Sequence, residues 1–89
     1  MLYKTEEDKL LSEREIQVLL CLKEGLSNPE IADKLCITIS TVKAHISSLL
    51  QKLNVKNRME ALLILFGAKD TTNKLIKEQI KTFTQNNKF

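Results

Sequence analysis

The chain spells the start of a helix in nearly the same letters four times, and that repetition leaves little room for any other kind of fold. Leu11-Ser12-Glu13-Arg14-Glu15-Ile16 and Leu26-Ser27-Asn28-Pro29-Glu30-Ile31 each place an apolar residue, a serine, a glutamate three positions on and a second apolar residue. The first amides of a helix have no partner within it. The serine oxygen accepts from one of them, the glutamate reaches back to the serine amide, and the two apolar residues staple the turn. Ile37-Thr38 with Val42 repeats the apolar, cap, apolar order with Thr41 where the acid would stand, and Asn57 with Glu60 repeats cap and acid. Each cap contributes about 1 kcal/mol, so the four starts are well specified. Stops are marked too: Gly25 supplies a left-handed residue after Glu24, and Asn54-Val55-Lys56 breaks the third helix.

Between these marks the apolar residues recur at helical spacing. Val18, Leu19 and Leu22 face inward on the first helix, and Ile31, Ala32 and Leu35 form a short stripe on the second, to about residue 35. Two glycines, one proline and no tryptophan suit helices better than a turn-rich sheet, and 43% hydrophobic residues are enough for one core. The expectation is an all-α, four-helix helix-turn-helix domain over residues 11–69, with a polar, acidic leader at 1–10 and an extension at 70–89. In the extension Leu75, Ile76, Ile80 and Phe83 fall near helical spacing, which leaves a fifth, weaker helix and a frayed basic tail equally open. A domain this small buries only about 60% of its unfolded surface, so its stability should be modest.

The third helix, 38–53, has two sides that want different neighbours. Val42, Ile46, Leu49, Leu50 and Leu53 form its core stripe, while Ser40, Lys43, Ala44, Ser47 and Gln51 make an opposite side that is short, polar and basic with no acid. From Lys34 to Arg58 the chain carries five bases, Lys34, Lys43, Lys52, Lys56 and Arg58, and no acid, a balance that favours a polyanion. Two short helices joined by a turn, the second with such a face, form a helix-turn-helix that places the second helix in a DNA major groove. There Lys43 can donate to guanine, Ala44 can meet a thymine methyl and Ser47 can bond either kind of base. Thr41, His45, Ser48 and Lys52 on one shoulder, Gln51 further along, and Lys34, Lys56 and Arg58 near the ends of neighbouring elements are candidates for the phosphates.

Other chemistry finds little support. Cys21 and Cys36 have neither zinc-ligand nor disulfide-framework spacing, and are expected to be small, reduced core residues. His45 has no carboxylate or second histidine one turn on, and the chain offers no serine-histidine-aspartate set, glycine-rich phosphate loop or paired catalytic acids. The reading is therefore not an enzyme, with no metal, cofactor or small-molecule ligand. No apolar run is long enough to span a membrane, and MLYKTEEDK lacks the apolar region of a signal peptide, so a cytoplasmic location is expected.

These residues resemble the LuxR-type (GerE, or FixJ/NarL-type) DNA-binding domain of bacterial transcription regulators. The likeness runs from Leu11 to about Ala68, through Leu11-Ser12-Glu13-Arg14-Glu15, Gly25-Leu26-Ser27-Asn28-Pro29-Glu30-Ile31-Ala32, Thr41-Val42-Lys43-Ala44-His45, Lys52-Leu53-Asn54-Val55, and Arg58 with Ala61. It implies four helices, double-stranded DNA as partner through Lys43, Ala44 and Ser47, and dimerisation through the fourth helix. Ser47 departs from members with a long basic residue there, which implies thinner direct readout. Such domains usually follow a phosphoacceptor receiver or a small-molecule-binding module. The methionine start leans towards a stand-alone regulator, and an excised effector domain fits as well.

Residues 61–66, ALLILF, are apolar on every side, more than one core-facing stripe requires. Met59, Leu63 and Phe66 are expected to pair with the same stripe of a second copy through helix 57–69, setting two reading helices about 34 Å apart. The rival is cover in cis by Leu75, Ile76, Ile80 and Phe83. Two rival functions stay open: a sigma-factor-like promoter-binding module acting within RNA polymerase, and a helical protein-interaction module that never touches DNA.

Overall fold

The computed structural model describes residues 10–69 and 74–87, with side chains described to Lys69 and again from Leu75 to Thr82. Residues 1–9 of the leader expected at 1–10, and the Phe83 side chain, lie outside the described residues. Five helices follow in chain order, α1 (Glu13–Lys23), α2 (Asn28–Leu35), α3 (Ile39–Leu53), α4 (Arg58–Leu65) and α5 (Lys74–Asn87), and no strand occurs among the described residues.

The helix starts form as their chemistry dictates. Ser12 Oγ accepts from the Glu15 amide at 3.0 Å while Glu15 Oε1 accepts from the Ser12 amide at 2.7 Å. Ser27 and Glu30 make the same exchange at 3.3 and 2.8 Å. Thr38 Oγ1 accepts from the Thr41 amide at 3.0 Å, and Asn57 Oδ1 from the Glu60 amide at 2.9 Å. Glu60 departs from the box, because its Oε2 takes the Lys56 amide at 2.7 Å and its Oε1 the Lys69 ammonium at 2.9 Å.

The stops share one device. Gly25, Cys36, Asn54 and Gly67 take φ of 80°, 58°, 58° and 79° just past the four helices. The next amide then turns back to a carbonyl of the last turn: Leu26 to Cys21 O, Ile37 to Ala32 O, Val55 to Leu50 O and Ala68 to Leu63 O, at 3.2, 2.9, 3.0 and 2.8 Å. Two expectations are corrected here. Cys36 is not a core residue but an exposed left-handed stop, whereas Cys21 is buried. The fourth helix, expected to reach 69, ends at Leu65 because Gly67 adopts the left-handed conformation two residues later.

α1 is the most deeply buried of the helices. Glu15, Ile16 and every residue from Val18 to Leu22 are buried, so Leu20 and Cys21 join the inward set expected from the periodicity. α3 packs against α1, α2 and α4, and α1 packs against α4. Val42, Ile46, Leu49 and Leu53 of α3 meet Ile31, Ala32 and Ala61 in one core, with Leu50 half-buried at its edge.

The extension forms α5, so of the two outcomes left open the helix is the one found. Ile76 is fully buried in the common core and Ile80 packs partly against it. The Gln79 amide brackets the residue before the first cap: its Oε1 accepts from Leu11 N at 2.9 Å and its Nε2 donates to Leu11 O at 2.6 Å. Cover of the α4 stripe by this helix is not found, since Met59, Leu63 and Phe66 stay 62%, 39% and 60% exposed. Because α5 shares the core, Ile76→Ala should lower the unfolding free energy by about 2–3 kcal/mol. Urea titration checks this, and an unchanged midpoint would show that α5 contributes nothing to the core.

Candidate nucleic-acid interface

The second helix of the α2–α3 pair presents the bare face. Cys36, Ile37 and Thr38 form the whole turn between them. Burying Val42, Ile46, Leu49 and Leu53 on one side of α3 leaves Ser40, Lys43, Ala44, Ser47 and Gln51 exposed on the other, as the 3.6-residue period requires. The three base-reading candidates, Lys43, Ala44 and Ser47, thus lie together on one exposed row, with Gln51 a turn beyond Ser47. First-turn acids are absent from α3, in contrast to α1, α2 and α4.

The phosphate candidates divide. Lys56 and Arg58 are exposed beyond the end of α3, and Arg58 Nη2 donates to Asn28 Oδ1 at 3.2 Å, tying the start of α4 to the start of α2. Thr41 is half-buried with its hydroxyl 2.9 Å from that of Thr38, which makes it part of the cap, and His45 is half-buried on the same shoulder. Lys34 pairs with Glu24 at 2.8 Å, but both side chains are well exposed, so the pair adds little and is easily exchanged.

Ser48 and Lys52 sit differently. Lys52 Nζ lies 2.8 Å from Glu15 Oε1, with the Lys52 side chain 25% and the Glu15 side chain 5% exposed. Burial pushes the Glu15 carboxyl up, but the hydrogen-bonded, charged Lys52 ammonium, the nearby Ser48 hydroxyl and the Ser12 amide outweigh it and hold the pKa below the ordinary glutamate value. One carboxylate therefore caps α1 and holds the last turn of α3. The sequence showed Glu15 only as a capping acid; its partner on α3 lies 37 positions away, and spacing within α3 could not reveal it.

No cluster of three or more histidine, cysteine or acidic side chains suited to a metal occurs among the described residues. Burial raises the Cys21 thiol above its ordinary pKa, which keeps it protonated rather than nucleophilic. No described helix is long and apolar enough to cross a membrane.

A family model described as bacterial regulatory proteins, luxR family, matches residues 9–65. The chain belongs to that family. Response regulator protein VraR of Staphylococcus saprophyticus subsp. saprophyticus is 44% identical over 66 residues, which make up 74% of this chain and 32% of that protein. Proteins of the same name from Staphylococcus aureus and Staphylococcus epidermidis are each 44% identical over 63 residues, 71% of this chain and 30% of theirs. The match thus spans about a third of the length of these curated relatives. Within this luxR-family domain α5 falls outside the matched residues, whereas the α2–α3 pair and the Glu15–Lys52 link fall inside them.

The lowered Glu15 pKa fixes the sign of one pH dependence. The stability it contributes is present above the ordinary glutamate value of about 4.3 and is lost as pH falls through the lower folded value. Glu15→Gln should destabilise the domain at pH 7 by on the order of 1–2 kcal/mol, and the gap from the parent should close once the solution is acidified well below pH ~4. Urea unfolding of both chains across that range is the check; a gap that stays constant would mean the carboxylate is not held ionised by its partners.

Proposed function

We propose that this chain binds double-stranded DNA sequence-specifically as the output part of a transcription regulator, with α3 lying in the major groove. The observation that carries the reading is the exposed row of Lys43, Ala44 and Ser47, free of acids and backed by a fully buried stripe on the same helix. Lys43 and Ser47 read base edges and Ala44 admits a thymine methyl. Thr41, His45, Gln51, Lys56 and Arg58 flank the row where backbone phosphates run, and Lys34 can leave Glu24 for a phosphate at little cost. Family membership and the response-regulator names of the relatives support this reading over catalysis or a protein-interaction module.

The exposed Met59, Leu63 and Phe66 of α4 are proposed to meet the same residues of a second copy on DNA, so that two α3 helices reach successive major grooves. That reading is supported by α5 leaving these side chains uncovered.

Selection of bound duplexes from a random pool, without polymerase present, tests the proposal and separates it from a sigma-like module. A two-fold symmetric consensus is expected, and retention of no duplex would end the reading. On the selected site Lys43→Ala should cost about 1–3 kcal/mol and relax the preference at one base position. Phe66→Glu should leave the domain folded while abolishing two-copy occupancy of the site in sedimentation with DNA; unchanged two-copy binding would place the dimer contact elsewhere.

A further inference from the structure

We infer that Glu15 is a positioning residue for duplex recognition: by holding Lys52 it fixes the rotation of α3 about its own axis, and it assigns Lys52 to sequence discrimination rather than to phosphate neutralisation. The inference rests on the DNA-binding reading above.

The geometry of the link is what argues for it. Lys52 Nζ and the Ser12 amide meet the same oxygen, Glu15 Oε1, at 2.8 and 2.7 Å. Lys52 immediately follows Gln51, so the contact sits directly beside the exposed row. An apolar stripe of leucine, isoleucine and valine tolerates small rolls, because dispersion contacts have little directional demand. A charge-assisted hydrogen bond to a buried carboxylate does not. A roll of about 10° moves a side chain some 5–6 Å from the axis by about 1 Å, more than a base-edge hydrogen bond tolerates. Long-range attraction to phosphates hardly notices a shift of that size.

The same contacts remove Lys52 from the phosphate set. Its side chain is three-quarters covered and its ammonium already paired with a carboxylate, so it displaces few counterions from a duplex. The shared acid lies on α1, outside the acid-free stretch, which is why charge counting along α3 alone puts Lys52 with the phosphate-binding residues.

Fluorescence anisotropy over a series of salt concentrations tests this, using a duplex selected by the parent chain and a scrambled duplex of the same composition. Lys52→Met is expected to leave the slope of log affinity against log salt unchanged, while the preference for the selected duplex falls about tenfold, the size of one base mismatch. Lys52→Arg, whose guanidinium still reaches Glu15, should restore most of that preference. Glu15→Gln keeps an oxygen to accept from the Ser12 amide, and should lose preference to a similar degree; the double variant should be no worse than the poorer single one. Circular dichroism at the assay temperature confirms folding, and if Lys52→Met does not fold, Glu15→Gln and Lys52→Arg decide. A slope flattened by about 0.9 in Lys52→Met, with equal losses on both duplexes, would make Lys52 an ordinary phosphate contact and overturn the inference. Full preference retained by Glu15→Gln would overturn it as well, leaving Glu15 a cap and nothing more. Failure of the parent chain to bind either duplex is a different result, which removes the DNA-binding reading itself and this inference with it.

Discussion

A carboxylate with only a twentieth of its surface in water must find partners wherever the fold puts it, and Glu15 finds them on two helices at once. Leaving such a charge unpaired would cost several kcal/mol, a large part of the stability a domain of this size can have. The requirement therefore acts on the arrangement of helices and not only on one side chain. α1 must begin where Ser12 can close the capping box, and α3 must pass with Lys52 turned towards it. Hydrophobic burial brings the two helices together, since Leu19, Val42 and Leu49 are all fully buried, but it is less particular about the angle at which they meet.

Once α3 is held at that angle, the character of its outer face follows. The residues exposed on the side opposite the buried stripe are Ser40, Lys43, Ala44, Ser47 and Gln51, none of them acidic. The net positive charge around them is narrower than the sequence suggests. Glu15 answers Lys52 and Glu24 answers Lys34 from α1, a helix outside the acid-free stretch. Two of the five bases between Lys34 and Arg58 thus have acidic partners, and the exposed charge concentrates at Lys43 on the helix and at Lys56 and Arg58 beyond its end. A small, concentrated patch of this kind suits orientation on a duplex better than indiscriminate attraction does.

Much of the fold was readable because its signals are local. The caps at Ser12, Ser27, Thr38 and Asn57 work through bonds spanning three residues, and all four form. The apolar stripe of α3 and the exposure of Lys43, Ala44 and Ser47 come from the helical period and need no tertiary information. What escaped the reading depends on distant partners or on strained backbone. Cys36 looked like a core residue because its neighbours are apolar; a non-glycine left-handed stop is set by the tight three-residue turn and the return bond from Ile37 to Ala32, not by its own side chain. Glu15 looked like a cap and no more, and Lys52 like a free cation, because the bond between them spans 37 positions. The course of α5 was unreadable for the same reason: Ile76 and Ile80 promised an apolar face, but nothing nearby says which surface receives it.

The placement of α5 bears on the exposed stripe of α4. A helix carrying Ile76 and Ile80 could gain free energy by covering Leu63 and Phe66, yet it lies instead where Gln79 satisfies both backbone groups of Leu11. Leu11 precedes the first cap, so neither its amide nor its carbonyl has an assured helical partner, and a half-buried peptide group left unbonded is costly. The Gln79 amide, with one donor and one acceptor at fixed spacing, matches that peptide in a way no residue on the α4 stripe could reward. The hydrogen-bonding demand at the start of α1 thus draws α5 to one side of the core, while Ala61 anchors α4 from within and Met59, Leu63 and Phe66 face water. Large side chains left exposed in a row are what the proposed meeting with a second copy would bury.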